Sequence, residues 1–509
     1  MTDYNATYQL LCDQFQEATL LGTVQQLLEW DERTKMPPAG GAYRADQAAY
    51  LAGLVHQKQT DPQIGDWLQQ LTESPLAEDP YSDTGCVIRR LQRDYNKKTR
   101  LPQTLVEELT RTACEGQQVW AEARSDNDFA KFQPLLEKTI ELKRQEAAAL
   151  GFETTPYDPL LDDYEPGEST ANVARVLSEL RDALVPLVGA IADSTQRPDV
   201  SILSREYPIE AQKKLGEQVA AAIGFDFQAG RLDVTDHPFM VGLGPGDVRL
   251  TTRYDDHEFG DALFSTLHEA GHGIYDQGLP RQYYGLPTGE DVSMGIHESQ
   301  SRMWENQVGR SHSFWQHFYS QTQAAFPLAL GEVELQVFYR AINDVRPSLI
   351  RVDADEVTYN LHILIRFELE QALVENRLQV AELPGAWNEK YQEYLGIVPT
   401  NDADGVLQDV HWSAGLFGYF PTYALGNLYA AQFFSQAAKE LGGDEMGGLE
   451  EQFRQGRFSP LREWLHENIH AHGRRYTAAE LVERITGSPL SHKSLIQQLA
   501  SKFGEIYGL

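Results

Sequence analysis

Two histidines, His268 and His272, stand four residues apart with Glu269 directly after the first. On a helix, positions i and i+4 share one face with Cβ atoms about 6 Å apart, so one metal ion can take both imidazoles. Glu269 sits about 100° further round, too far to be a third ligand on that face, yet near enough to reach a water that the metal activates. The spacing predicts a ligand pair and a general base for hydrolysis. The same pattern recurs in His466-Glu467-Asn468-Ile469-His470. The surroundings must choose between the two copies.

A hydrolytic site of this kind takes a third protein ligand, typically a glutamate on a later helix, and keeps its fourth position open to water and substrate. Glu298 follows His272 at a separation that lets a second helix return beside the first. Ala270, Gly271 and Gly273 are small and admit close neighbours. After His470, by contrast, Glu483 comes too soon for a returning helix, and Glu505 lies near the last residue in an ordinary amphipathic pattern. Gly473 stops that helix at once, and Arg474 and Arg475 suit its negative end. The metal is therefore expected at His268, His272 and Glu298, and His466 and His470 are expected to form a structural helix face.

Helices carry most of the chain. Apolar spacing from Tyr8 to Trp30, a break at Pro37-Pro38-Ala39-Gly40-Gly41, and a further run from Arg44 to His56 predict a helical hairpin. Residues 151 to 167 are turn chemistry and mark a loop or a boundary between lobes. The strand signal lies between Val234 and Tyr254, where a hairpin is expected. Its last run, Asp247 to Tyr254, alternates like a half-buried strand and would accept an extended substrate if its edge were free. That run leads into the His268 helix, and a second helix is expected from Ile296 to Val308.

Composition narrows the partners. A net charge of -32 repels phosphate backbones and anionic membranes, so neither nucleic acid nor membrane is expected as a partner. The densest basic run, Arg89-Arg90-Leu91-Gln92-Arg93 with Lys97-Lys98, reads as a solvated helix face. Cys12, Cys86 and Cys114 form an odd set without paired spacing, which suits reduced thiols in the cytoplasm. Met1 to Phe15 carries no secretory pattern, and no stretch approaches the roughly 20 apolar residues of a membrane span.

Six motifs in order now give the chain a family likeness. They are His237-Pro238-Phe239 (HPF), Asp247-Val248-Arg249-Leu250-Thr251 (DxRxT), the HExxH of residues 268–272, and His297-Glu298-Ser299-Gln300. Ile350-Arg351-Val352-Asp353-Ala354-Asp355 (IRxxAD) and Gly405-Val406-Leu407-Gln408-Asp409-Val410-His411-Trp412 (GxxQDxHW) complete the series. With these the chain resembles the carboxypeptidase Taq family of thermostable metallocarboxypeptidases over nearly its full length. The resemblance implies a mostly α-helical, gluzincin-like single domain over residues 1–509, with a deep groove and a small antiparallel sheet beside the HExxH helix. The N-terminal helical lobe would cover roughly residues 1–165, and the metal-site and substrate lobe roughly 166–509. One divalent metal per chain is implied, zinc with cobalt as the alternative, since imidazole and carboxylate suit both. A homodimer is implied as well.

Such an enzyme removes C-terminal residues from peptides, and a free α-carboxylate calls for a local cation, best an arginine fork. Arg351 corresponds to the arginine of IRxxAD and is the candidate, unless an ion pair with Asp353 or Asp355 occupies it; Arg249 and Arg253 are weaker candidates. His411 and Tyr423 are expected to donate to the oxyanion, and His237 to line the groove. Two other readings remain open at this level. One is a zinc oligopeptidase or dipeptidase of the same helical type; the other is a metal-free helical binding protein, against which an intact Glu269 speaks.

Overall fold

Helical apolar spacing dominates the sequence, and the computed structural model, which describes residues 3–442 and 447–509, is mostly helical. The chain forms two compact units, each built from three separate stretches. The first holds Met1–Thr99, Asp199–Ile342 and Phe433–Gly487; the second holds Arg100–Pro198, Asn343–Gln432 and Ser488–Leu509. No described helix is long and apolar enough to cross a membrane.

The first unit opens with the expected hairpin, α1 (Tyr4–Thr34) and α2 (Gly41–Gln59). Asp3 caps α1 by accepting from the Ala6 amide at 3.1 Å. Leu11, Cys12 and Phe15 enter a cluster with Ile64, Leu68, Leu71, Val87 and Ile88. Val24, although in the apolar pattern, is exposed, and α2 buries no residue at all. The basic run also departs from expectation. Arg90 is buried, and its Nε donates to the Arg474 carbonyl at 2.8 Å while Arg89 donates to the Arg475 carbonyl at 2.7 Å. One face of that helix therefore braces residues 474 and 475 rather than facing water.

Three strands form the sheet: β1 (Gly230–Val234), β2 (Met240–Gly242) and β3 (Val248–Thr252), in the order β1-β3-β2. β2 and β3 are the expected antiparallel hairpin, with Met240 opposite Leu250 and Gly242 opposite Val248. The Leu243 amide closes the turn on the Asp247 carbonyl at 2.8 Å. β1 instead lies parallel to β3, from Gly230 opposite Val248 to Val234 opposite Thr252. The sheet is thus mixed rather than wholly antiparallel, because a parallel neighbour leaves no turn signal in the sequence. β3 is the central strand, buried at Val248, Leu250, Thr251 and Thr252. Both of its edges are taken, so it cannot add an extended substrate.

β3 leads into α3 (Gly260–Gly278), the helix that carries His268, Glu269 and His272. Next comes α4 (Met294–Arg302), opened by Ser293, whose hydroxyl accepts from the Ile296 amide at 3.1 Å. The predicted Ile296–Val308 helix is split, since Met303–Val308 winds as a π-helical segment. The two backbones meet at Gly271, where a Cβ would stand 2.6 Å from the Gln300 carbonyl and 2.7 Å from Ser301 Cα. Only glycine allows that approach.

In the second unit, α5 (Tyr359–Val374) is buried nearly all round. Its Glu370 accepts from Tyr157 Oη (2.6 Å), Trp412 Nε1 (2.8 Å) and the Gly418 amide (3.1 Å). These bonds pin the irregular stretch before α6 (Pro421–Glu440), the stretch that holds His411.

Candidate active site

His268 and His272 lie one helical turn apart on α3, and α4 returns Glu298 to them. The Nε2 atoms of the two histidines stand 3.6 and 3.4 Å from the same carboxylate oxygen of Glu298, Oε2. A four-coordinate ion with bonds of about 2.0–2.1 Å separates neighbouring donors by about 3.4 Å. Both histidine–glutamate separations therefore suit a small divalent cation, and all three donor atoms lie within 4.8 Å of one another. The remaining ring nitrogens are engaged elsewhere: His268 Nδ1 meets Glu305 Oε2 at 2.9 Å, and His272 Nδ1 meets His297 Nδ1 at 2.5 Å. Each Nε2 is left facing the cation position.

Charge supports the same fit. Burial alone would raise the Glu298 carboxyl, but Arg302, His268 and His272 outweigh it and hold Glu298 well below the usual range. Arg302 Nε donates to Glu298 Oε1 at 2.7 Å, and Ser301 Oγ donates to Oε2 at 3.0 Å. Glu305 is likewise lowered, to about 2, by Arg302, His268 and Arg310 against burial. Burial, with the neighbouring His297, lowers His272 to about 3, so its ring is neutral at neutral pH and offers a lone pair. Metal binding requires ligands in these deprotonated forms. Glu269 is buried and raised to about 7, chiefly by desolvation. Among the described residues no side chain donates to its carboxylate.

The second HExxH copy does different work. His466 and His470 join no cluster of potential ligand atoms among the described residues; the other such cluster is the exposed turn Asp255-Asp256-His257. His470 is buried, and its Nε2 meets Gln300 Oε1 at 3.0 Å, which braces α4 two residues beyond Glu298. Burial lowers His470 to about 3, whereas the unfolded side chain titrates near 6.5. A depressed folded value gives stability that is present above pH 6.5 and is lost as pH falls toward 3. Urea unfolding of the wild type should therefore lose about 2–3 kcal/mol more than His470→Gln between pH 7.5 and 4.5. Parallel pH profiles for the two proteins would refute this assignment.

Arg351, His411 and Tyr423 come together in the second unit. Arg351 is 5% exposed, and it pairs with Asp409, whose Oδ1 accepts from Nε at 2.9 Å and from Nη2 at 2.8 Å. Asp355 is satisfied instead by Thr358 and the Val357 and Arg346 amides. Arg366 grips the other oxygen of Asp409 at 2.6 Å, and Arg351 Nη1 also donates to Tyr359 Oη at 3.2 Å. Two guanidiniums share one carboxylate, so the three groups together carry one net positive charge. His411 is lowered to about 4 by burial and by Arg351 and Arg366, with Asp409 opposing, so its ring is neutral. Its Nε2 lies 3.3 Å from Tyr423 Oη, and its Nδ1 is buried without a hydrogen-bond partner. His237 is exposed between β1 and β2 in the first unit.

Sequence reasoning missed Glu305, His297, Asp276, Asp409 and Arg366. Signals existed for two of the three metal-site residues among them: Asp276 extends the four-residue spacing of His268 and His272, and Glu305 follows Glu298 and Arg302 along one helix face. His297 stood beside Glu298 but gave no sign of its own partner.

Comparison with known proteins places the chain in a family. Residues 11–503 match the family described as Carboxypeptidase Taq (M32) metallopeptidase. The chain is 46% identical over 513 residues to thermostable carboxypeptidase 1 of Thermus thermophilus, covering 99% of each. It is 40% identical to carboxypeptidase 1 of Bacillus subtilis, covering 94% of this chain and 95% of the other. The crystal structure of the M32 carboxypeptidase from Deinococcus radiodurans superposes with a TM-score of 0.95 at 40% identity, covering 99% of this chain and 100% of that one. Such likeness across the whole chain, together with two imidazoles and a carboxylate that fit a divalent cation, makes this protein a peptide-hydrolysing member of the carboxypeptidase Taq (M32) family of metallopeptidases.

Proposed function

We propose that the protein is a zinc carboxypeptidase in which His268, His272 and Glu298 hold the metal and Glu269 is the general base. The convergence of both Nε2 atoms on Glu298 Oε2 carries this reading. A divalent ion held there would supply Lewis-acid chemistry, polarising a scissile carbonyl and acidifying water. Glu269, poised near neutrality by burial, takes the proton from water and returns it to the leaving amine. Arg351 receives the substrate's free carboxylate, a role favoured by the surplus positive charge it shares with Arg366 and Asp409. Tyr423 and neutral His411 donate to the developing oxyanion, and His237 contacts the peptide. Cobalt suits the same donors as zinc. On the family likeness, the working unit is the whole of residues 1–509, assembled as a homodimer. Three free cysteines suit a cytoplasmic setting.

The test is metal content. Wild type and His466→Ala should each retain about one equivalent of zinc through desalting, and His268→Ala should retain none. A wild type without metal, or loss confined to His466→Ala, would overturn the assignment. Reconstitution of metal-free protein with zinc or cobalt, followed by peptide turnover, decides between the two ions.

A further inference from the structure

His272 is steered by another histidine rather than by a carboxylate, and that second ring has its own partner one helical turn away. His272 Nδ1 faces His297 Nδ1, and the ring centroids are 4.5 Å apart, the spacing of an edge-to-edge contact. On its far side His297 Nε2 stands 3.1 Å from Asp276 Oδ1. Asp276 belongs to α3, so His268, His272 and Asp276 occupy successive turns of one face, and His297 from α4 bridges the last two. Two facing nitrogens can share only one proton. If His297 donated it, the proton of neutral His272 would sit on Nε2, the atom aimed at Glu298 Oε2. Metal binding therefore requires His272 Nδ1–H to donate to His297 Nδ1, which places the His297 proton on Nε2, where only Asp276 accepts it.

The sheet adds a second, independent observation. A Cβ at Gly242, on strand β2, would stand 2.2 Å from Asp276 Oδ2. The Asp276 carboxylate thus rests against bare backbone, and the absent side chain of Gly242 makes the room. Sheet, α3 and α4 converge on one acceptor.

We infer that Asp276 and His297 are positioning residues for the metal, a relay that fixes the tautomer and ring direction of His272, and that Gly242 seats the relay. This rests on the metal reading above. Such outer partners change metal affinity by about 10–100-fold when removed.

The measurement is the zinc dissociation constant of the full-length protein, by competition with a chromophoric chelator, together with thermal unfolding of the metal-free form. His297→Phe and Asp276→Leu should each weaken zinc binding by about 10–100-fold with little change in metal-free unfolding. His297→Asn, whose amide oxygen keeps an acceptor near the position of Nδ1, should recover part of the loss. Gly242→Ala should weaken binding in the wild-type background but add little to Asp276→Leu, because the two act through one carboxylate. It also serves if a relay variant fails to fold. Wild-type affinity in both His297→Phe and Asp276→Leu, or full additivity with Gly242→Ala, would overturn the relay alone. Absence of zinc binding by the wild type would overturn the metal reading and the relay together.

Discussion

Glu269→Gln should lower kcat for peptide hydrolysis by about 10²–10⁴-fold while one equivalent of metal stays bound. The amide matches the carboxylate in shape, so the ligands on α3 and α4 need not move. What disappears is the capacity to accept a proton. The wild-type side chain suits that step because it is buried, is pushed up to about 7, and receives no hydrogen bond from a described side chain. A carboxylate tied into an ion pair would be a poor base, which is the condition of Glu298 and Glu305 nearby. The expected pattern is a fall in kcat with little change in KM, since the proton moves only in the transition state. More than a tenth of wild-type turnover at full metal occupancy would remove Glu269 from this role.

Arg351→Ala should reduce kcat/KM for an N-blocked dipeptide with a free carboxylate by about 10–100-fold, and leave the corresponding C-terminal amide nearly unchanged. The argument is one of charge. Arg351 and Arg366 together face a single carboxylate, Asp409, and the nearby His411 is neutral. In a chain carrying -32 overall, a buried unit of positive charge is costly unless an anion uses it. Removal of Arg351 still leaves Asp409 paired with Arg366, so the penalty of about 3–5 kcal/mol for a stranded buried charge is largely avoided. Arg351→Lys should fall between wild type and alanine, because the ammonium keeps the charge and loses the fork. Equal losses on acid and amide would assign Arg351 a structural role.

How far the sequence reached depends on the range of the interaction. The grouping of His268, His272 and Glu298 was legible because two of them repeat at the period of one helix and the third lies on the next one, a local pattern. The β2–β3 hairpin was legible for the same reason, through its turn. β1 escaped because its parallel pairing with β3 leaves no mark between the strands. Arg90 gave no sign of burial because its partner, the Arg474 carbonyl, is 384 positions away. Glu305 lies in the π-helical segment Met303–Val308, although its spacing from Glu298 and Arg302 was a signal on the sequence. Asp409 was written within a recognised motif, yet the neighbours Asp353 and Asp355 looked the easier partners for Arg351. Proximity in sequence misled there because Asp355 turns to Thr358 and the Val357 and Arg346 amides, while Asp409 comes to the guanidinium from 58 positions away.

The contact between His470 and Gln300 spans 170 positions. On a ribosome working at about 5–20 residues per second, the helix bearing Glu298 would emerge roughly 10–30 s before the histidine that braces it. During that interval the helix lacks the hydrogen bond that His470 gives Gln300. In the order of synthesis, the brace on the helix that bears Glu298 is thus a late contact.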